Sequence, residues 1–532
     1  MDIYFSLEDF TVYHQSSQCT AMKIAKHPVR MHTPSTLMIT LLFMSPLTSA
    51  LAATLAVGPG KPFSTPCRAF AAAADNDIIE IDAAGSYVGD VCGIARNGLT
   101  IRGVNGRPKI DAGGRNAMGK GIWVVQGSNT VIENVEMFGA KVPDRNGAAL
   151  RLDGKHLTLR RSFLHHNENG ILTNNDGVSD IVIENSEFGR NGYGDGYSHN
   201  LYIGRVNSLV FTGNYSHDAN VGHNLKSRAQ TNTITYNRFS SLAPGQTGST
   251  EPGAPSYEID LPNAGVAYVI GNIIQQPSIS NNPGMLTFGV EGATNTKQEL
   301  YVVNNTFLND DSSRGTFVSV GSGVTSPILL QNNIFAGTGT VTTQSNAIDK
   351  TNYRSLTPAF VNRAGYDLRP AAGSAMINTG STPASNTSGV ALAPFRQYKH
   401  TAQSEARVDD GKIDIGAYEA GTTPTPTPTP TPSPTPAPDV TAPTVRFVAP
   451  TNNTTVTTFL SVNVAASDNK QVTKIVLLLN GRQIGYALGS SLRGRWSMYS
   501  VPAGSHTLSA VAYDAANNSS RTSLSFRVVK SN

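Results

Sequence analysis

The sequence predicts an all-β protein: a parallel β-helix, a Thr-Pro spacer and an antiparallel β-sandwich. Three observations carry this expectation. A short apolar strand closed by Asn recurs throughout the region before the spacer, helical periodicity is absent there, and alternating apolar and polar runs follow the spacer. At 532 residues, against a prior of about 150 per domain, more than one folding unit is expected. Charged residues make up 15% of the chain, well under the typical figure of about 25%, which excludes long charged tails and coiled coils. The net charge of +4 suits an acidic partner but falls short of a nucleic-acid-binding signature.

Residues 1–53 read as a targeting segment. Lys23, Lys26 and Arg30 precede an apolar stretch over 37–47, and Ala50-Leu51-Ala52 supplies a small-x-small cleavage site. The acidic Asp2, Glu8 and Asp9 do not suit a signal start, so translation is expected to begin at Met22 or Met31. No other apolar run approaches the roughly 18 residues of a membrane span. The expectation is a secreted protein, extracellular or periplasmic, without a membrane span. Cys19 falls in the signal, which leaves Cys67 and Cys92 as the pair for an oxidising compartment. Their disulfide would contribute on the order of 3 kcal/mol in the chain-entropy picture. Thr65-Pro66, followed by Cys67-Arg68-Ala69-Phe70 and alanines, reads as an N-cap, a Pro at the first helical position and a short helix that caps the first coil.

Residues 54–421 carry the repeat. Apolar strands end on Asn134, Asn185, Asn214, Asn237, Asn272, Asn305 and Asn333, at intervals of roughly 23 to 35 residues once Leu157 to Arg161 fills the one wide gap, between Asn134 and Asn185, and this is the range of solenoid repeats. Each period holds a second short strand, as at 150–152, 201–203, 225–227, 257–261 and 286–288. Two or three short strands per turn with Asn at the corner describe a parallel β-helix. Residues 422–439 alternate Thr and Pro, a composition that favours extended polyproline II and buries no core. Over 440–532, runs such as 445–448, 460–464, 475–479 and 508–513, separated by turns such as Asn480-Gly481, predict a β-sandwich.

Over roughly residues 55–420 the chain resembles the right-handed parallel β-helix superfamily of pectate-lyase-like proteins. Its members are mostly polysaccharide lyases, hydrolases and uronan epimerases. The closing Tyr513-Asp514-Ala515-Ala516-Asn517-Asn518 and the Pro-Thr lead-in resemble bacterial Ig-like domains appended to secreted carbohydrate-active proteins. That resemblance implies a spacer, or a contact to glycan or cell surface.

The chemistry-bearing residues gather in the middle coils. His199-Asn200-Leu201 and His223-Asn224-Leu225 repeat one period apart, and adjacent coils stack at about 4.8 Å. If Leu201, Leu225, Ile259 and Phe288 point inward, alternation turns Tyr202, Lys226, Arg228, Glu258 and Asp260 outward. His199 and His223 would border this patch, with Asp195, His217 and Glu291 nearby. A uronan lyase needs such groups, because β-elimination removes the proton α to a carboxylate. The carboxylate must be neutralised, and a base and a leaving-group acid supplied.

Leu225-Lys226-Ser227-Arg228 is similar to the Lys-Ser strand of β-helix alginate and chondroitin lyases, which implies Lys226 as base. A Lys serves that role if neighbouring positive charge and desolvation lower its proton affinity. The calcium ligands of those lyases are not matched, since Asn220, Val221 and Gly222 stand in their place. Their acid motif is replaced by Ser256-Tyr257-Glu258-Ile259-Asp260-Leu261. Neutralisation is then expected from Arg228, His199 or His223, and proton donation from Tyr202 or Tyr257. Asp195, His217, Glu258, Asp260 and Glu291 are the candidate substrate contacts.

The plainer alternatives are surface ion pairs of Lys226 with Glu258 and of Arg228 with Asp260, worth about 0.2 to 1 kcal/mol each, and stacked histidines that bond corner carbonyls rather than substrate; a His/His/Asp metal site with Asp195 or Asp218 is a further reading of the same rings. The expected activity is a lyase on an acidic polysaccharide. A glycoside hydrolase using Glu258, Asp260 or Glu291, a uronan epimerase, and a non-catalytic glycan-binding stalk are the competing readings.

Overall fold

A computed structural model of the protein describes residues 52–241, 256–408, 410–420, 439–498, 501–516 and 518–530. The export signal and the Thr-Pro spacer expected from the sequence lie outside the described residues, apart from Ala52, Ala53 and Asp439. Among the described residues, no helix is long and apolar enough to cross a membrane.

The chain before the spacer forms a parallel β-helix with three walls, of 12, 10 and 11 strands among the described residues. One coil shows the path. Asp180–Glu184 lies in the 12-stranded wall, Glu187–Gly189 in the 11-stranded wall and Leu201–Ile203 in the 10-stranded wall; Ser208–Thr212 then re-enters the 12-stranded wall. Each strand pairs with its counterpart one coil on, so that Ile181 faces Leu209 and Ile183 faces Phe211. Alternation sends these four side chains inward, where they are fully buried.

The turn from the 12-stranded to the 11-stranded wall takes four residues in the two coils before Asn134, 83–86 and 105–108, and two residues from Asn134 onward. The first holds a left-handed backbone at Asn134, Arg161, Asn185, Tyr236, Asn304 and Asn332, and Gly213 and Gly271 fill the same position in their coils. The second is Asn in successive coils. Nδ2 of Asn214, Asn237, Asn272 and Asn305 each donates to Oδ1 of the next, at 2.9–3.2 Å. The recurring Asn of the sequence thus does two jobs. Asn134 and Asn185 adopt a conformation that L-residues tolerate poorly, whereas the others satisfy buried backbone groups at the corner, as Asn237 Nδ2 does for the Phe211 carbonyl.

Both ends of the solenoid are covered. The helix Pro66–Ala72 plugs the first coil, with Phe70 packed edge-on against Trp123 at 5.2 Å between centroids and Cys67 disulfide-bonded to Cys92. Thr65 precedes this helix in extended conformation but makes no side-chain cap bond. After the strand Tyr353–Ser355, the chain folds back. Leu368, Met376, Tyr398 and Ile415 cover the outward-facing Ile273, Leu308 and Ile334. The buried Arg407–Glu419 pair pins this return segment. It has no repeat, so periodicity gives no sign of it.

Beyond the spacer, Thr444–Ala449, Phe459–Ser467 and Ser491–Ser497 form a three-stranded antiparallel sheet that faces a five-stranded one. Leu460, Val462, Ile475, Leu477, Leu508, Ala510 and Phe526 fill the space between them.

Candidate active site

The 10-stranded wall brings the repeated motif into register. Leu201–Ile203, Leu225–Ser227, Ile259–Leu261 and Gly284–Phe288 are successive rungs, which stack Tyr202 on Lys226, Lys226 on Asp260 and Asp260 on Thr287. Leu201, Leu225 and Ile259 are fully buried, so the Tyr202–Lys226–Asp260–Thr287 column faces outward. Beside it runs a column of rings. His199 lies 4.5 Å from His223 and His223 lies 5.0 Å from Tyr257, at interplanar angles of 14° and 27°; His199 also stacks on Tyr202 at 5.8 Å.

Lys226 Nζ contacts Asp260 Oδ2 at 2.9 Å and Glu291 Oε1 at 2.7 Å. Arg228 donates from Nε to the Tyr202 hydroxyl oxygen (2.7 Å), from Nη1 to Asn263 Oδ1 (2.6 Å) and from Nη2 to Glu291 Oε2 (2.5 Å). The Thr287 hydroxyl donates to Asp260 Oδ1 at 2.5 Å. Asp260 is 1% exposed, whereas the Glu291 side chain is 43% exposed. Burial disfavours the Lys226 ammonium, but Asp260 and Glu291 outweigh it and raise its pKa above the ordinary value. Burial likewise pushes Glu291 up, and its hydrogen bonds to Lys226 and Arg228 reverse that and hold it below the usual carboxylate range.

The two imidazoles are neutral donors. His199 Nδ1 accepts the His223 backbone N–H at 3.0 Å, and His223 Nδ1 accepts that of Tyr257 at 3.3 Å. A ring nitrogen that accepts carries no proton, so the proton sits on Nε2 of each. Burial lowers His223 to about 4, with Asp260 opposing. Burial, then His223, Lys226 and Arg228, puts His199 well below its ordinary value. Neither ring supplies the positive charge expected for carboxylate neutralisation. His223 Nε2 instead points toward Asp260 Oδ2 at 3.6 Å.

Three sequence candidates lie elsewhere. Alternation turned Glu258 outward, but the strand begins only at Ile259, and Glu258 occupies the preceding corner, 1% exposed. There it ends an interior ladder: Asn191 donates to Asn200, Asn200 to Asn224, and Asn224 Nδ2 to Glu258 Oε2 at 2.5 Å. Burial pushes this carboxyl up to about 8, with Asn224 opposing. The sequence held the signal, since His-Asn-Leu, His-Asn-Leu and Tyr-Glu-Ile align with Glu in the Asn position. His217 belongs to the 11-stranded wall, between Gly189 and Ser240. Asp195 sits on an exposed loop, where it accepts the Tyr197 N–H.

The expected ion pairs also exchange partners: Lys226 takes Asp260 and Glu291, and Arg228 takes Glu291. Asn263 and Thr287 were missed by sequence reasoning, and only the register reveals them. Asn220, in the place of a calcium ligand, donates to the Gly192 carbonyl. Among the described residues, the one group of His, Cys, Asp and Glu close enough to share an ion is Asp439, Asp468 and Asp514 in the sandwich. A cavity of about 1840 Å³ lies against the outer face of the 12-stranded wall, beside Thr158, Arg160 and Glu184, and Tyr202, Lys226, Arg228, Asp260 and Glu291 take no part in it.

Comparison with known proteins assigns one region. Residues 443–510 match the bacterial Ig domain family. No curated protein matches the sequence. Among solved structures, the chain is similar to pectate lyase Pel9A, at 18% identity over 69% of this chain and 96% of that one, with a TM-score of 0.48. The fibronectin(III)-like modules of Clostridium thermocellum CbhA match over 17% of this chain and 47% of theirs, at 25% identity and a TM-score of 0.15.

Proposed function

We propose that the protein is an extracellular enzyme that cleaves an acidic polysaccharide by β-elimination on the outer face of its 10-stranded wall. One observation carries this reading: Lys226 Nζ and Arg228 Nη2 converge on the two oxygens of a single carboxylate, at 2.7 and 2.5 Å, and the same guanidinium holds the Tyr202 hydroxyl. This is the arrangement that neutralises a uronate carboxylate and so acidifies the carbon beside it.

The roles follow from the partners. Lys226 is held as an ammonium by two carboxylates, the opposite of what a base needs, and is assigned with Arg228 to the substrate carboxylate. Proton transfer falls to Tyr202. Its oxygen accepts from Arg228 Nε, which sets a guanidinium beside the negative charge that develops there as the hydroxyl gives its proton to the departing glycosidic oxygen; the same oxygen then takes up the α-proton, and the hydroxyl is restored. The neutral His199 and His223 offer Nε2–H donors at the edge of the ring column.

A hydrolase needs carboxyl groups that flank the scissile bond, one of them a protonated acid. Asp260 and Glu291 instead share an ammonium between them, and Glu258 is interior. The test is incubation with pectate, alginate, chondroitin, hyaluronan and glucuronan. New ultraviolet absorbance from an unsaturated uronide is expected with one of them. Reducing ends without absorbance would make the protein a hydrolase, altered uronate composition at constant chain length an epimerase, and no change with any polymer would overturn the reading.

A further inference from the structure

We infer that Glu291 is a built-in stand-in for the substrate, filling the carboxylate subsite between Lys226 and Arg228 until a uronate displaces it. This rests on the proposed function and goes beyond it by naming how the site selects its ligand.

The two carboxylates that touch Lys226 differ in kind. Asp260 sits on a strand, is 1% exposed and is fixed from behind by Thr287. Glu291 comes from the loop after Gly284–Phe288, between Gly289 and Gly292, both in left-handed backbone, and its side chain is 43% exposed. Its backbone is tied down by the bond from Glu291 N to the Pro262 carbonyl; only the side chain needs to swing. Each carboxylate oxygen meets one cation, the two-point geometry by which a uronate would be held.

Exchange of one carboxylate for another never leaves Lys226 or Arg228 without a partner, so an acidic sugar enters without stranding a half-buried cation. A neutral sugar has nothing to offer in return and is rejected. A tethered competitor acts at an effective concentration on the order of millimolar, which makes the site demand a polymer that binds at several points.

The experiment compares wild type with Glu291→Gln, with Glu291→Ala as a second variant. Binding is measured by calorimetry to the polymer that the activity screen selects, to dextran sulfate, a polyanion without carboxylates, and to neutral cellohexaose. Gln keeps the shape but cannot hold two cations. Uronan affinity should tighten by about tenfold, with no gain for dextran sulfate or cellohexaose. If the wild type binds uronan and both variants bind it equally or more weakly, the stand-in role is overturned while the functional reading survives. An equal gain for dextran sulfate would reduce the effect to net charge and also overturn it. If neither wild type nor variants bind any uronan, both fail together.

Discussion

The 10-stranded and 11-stranded walls present imidazoles on neighbouring faces of the same coils and set them to opposite states. His199, His223 and His217 are nearly equally buried, at 3%, 7% and 8% exposure. Burial is the largest influence on each and favours the neutral ring. In the 10-stranded wall a backbone N–H occupies Nδ1 of each ring and burial prevails: Lys226 adds to it at both, and Asp260 and Glu291 oppose it at His223 without reversing it, so His199 and His223 stay neutral. In the 11-stranded wall Asp218 meets His217 Nδ1 at 2.7 Å and Glu187 meets Nε2 at 3.3 Å. Together these reverse the burial effect and raise its pKa. What the ring nitrogens touch decides the state, and depth alone does not. One face is thus built to donate hydrogen bonds beside cations, and the other to hold a charge among acids.

The largest expected effect is at Lys226. Lys226→Met leaves Asp260 buried without its ammonium and should cost about 3–5 kcal/mol in urea unfolding, with loss of activity. A cost below about 1 kcal/mol would reduce the cationic column to the level of an exposed ion pair, such as Lys399 with Glu405.

Glu258 comes next. A carboxyl raised to about 8 in the fold keeps its proton while the unfolded chain loses it near 4.5, so stability falls as pH rises between those values and levels off above them. Glu258→Gln should flatten the melting temperature over that window and stabilise the protein at pH 8 by a few kcal/mol. An unchanged slope would show that the ladder ends on an ionised group.

Tyr202→Phe should lower turnover by about a hundredfold with substrate affinity little changed. Comparable activity would move proton transfer to Tyr257.

The smallest effect is the direct test of the contrast. Nitrogen NMR should find the His223 ring neutral down to about pH 4, while His217 stays charged above its ordinary value, and Asp218→Asn should lower the His217 pKa. The linkage runs in opposite directions. Stability from neutral His223 is lost as pH falls from 6.5 toward 4, and stability from charged His217 is lost as pH rises through its elevated pKa.

Much of this face was legible before any coordinates. The repeat of His-Asn-Leu one period apart placed His199 over His223 and Tyr202 over Lys226, because in a solenoid sequence period is spatial register. Glu291 was a neighbour in the sequence reading, but its bridge to Arg228, 63 residues away, depends on a loop that obeys no period. The tautomers were hidden because backbone N–H groups of the following coil fix them. Glu258 was misdirected because alternation holds within a strand and fails at its corner. His217 was misplaced because its sequence lies close to His223 while a bend separates their walls.

The two-residue turn between the 12- and 11-stranded walls acts as a spacer that resets each lap. From Asn134 onward, every change of lap length is therefore confined to the other two bends, where the path from Gly189 to Leu201 and that from His217 to Leu225 already differ. Loops over the face that carries Lys226 and Arg228 can be lengthened or exchanged there without displacing the laps that follow, so under the proposed function insertion alone would change which polymer that face accepts.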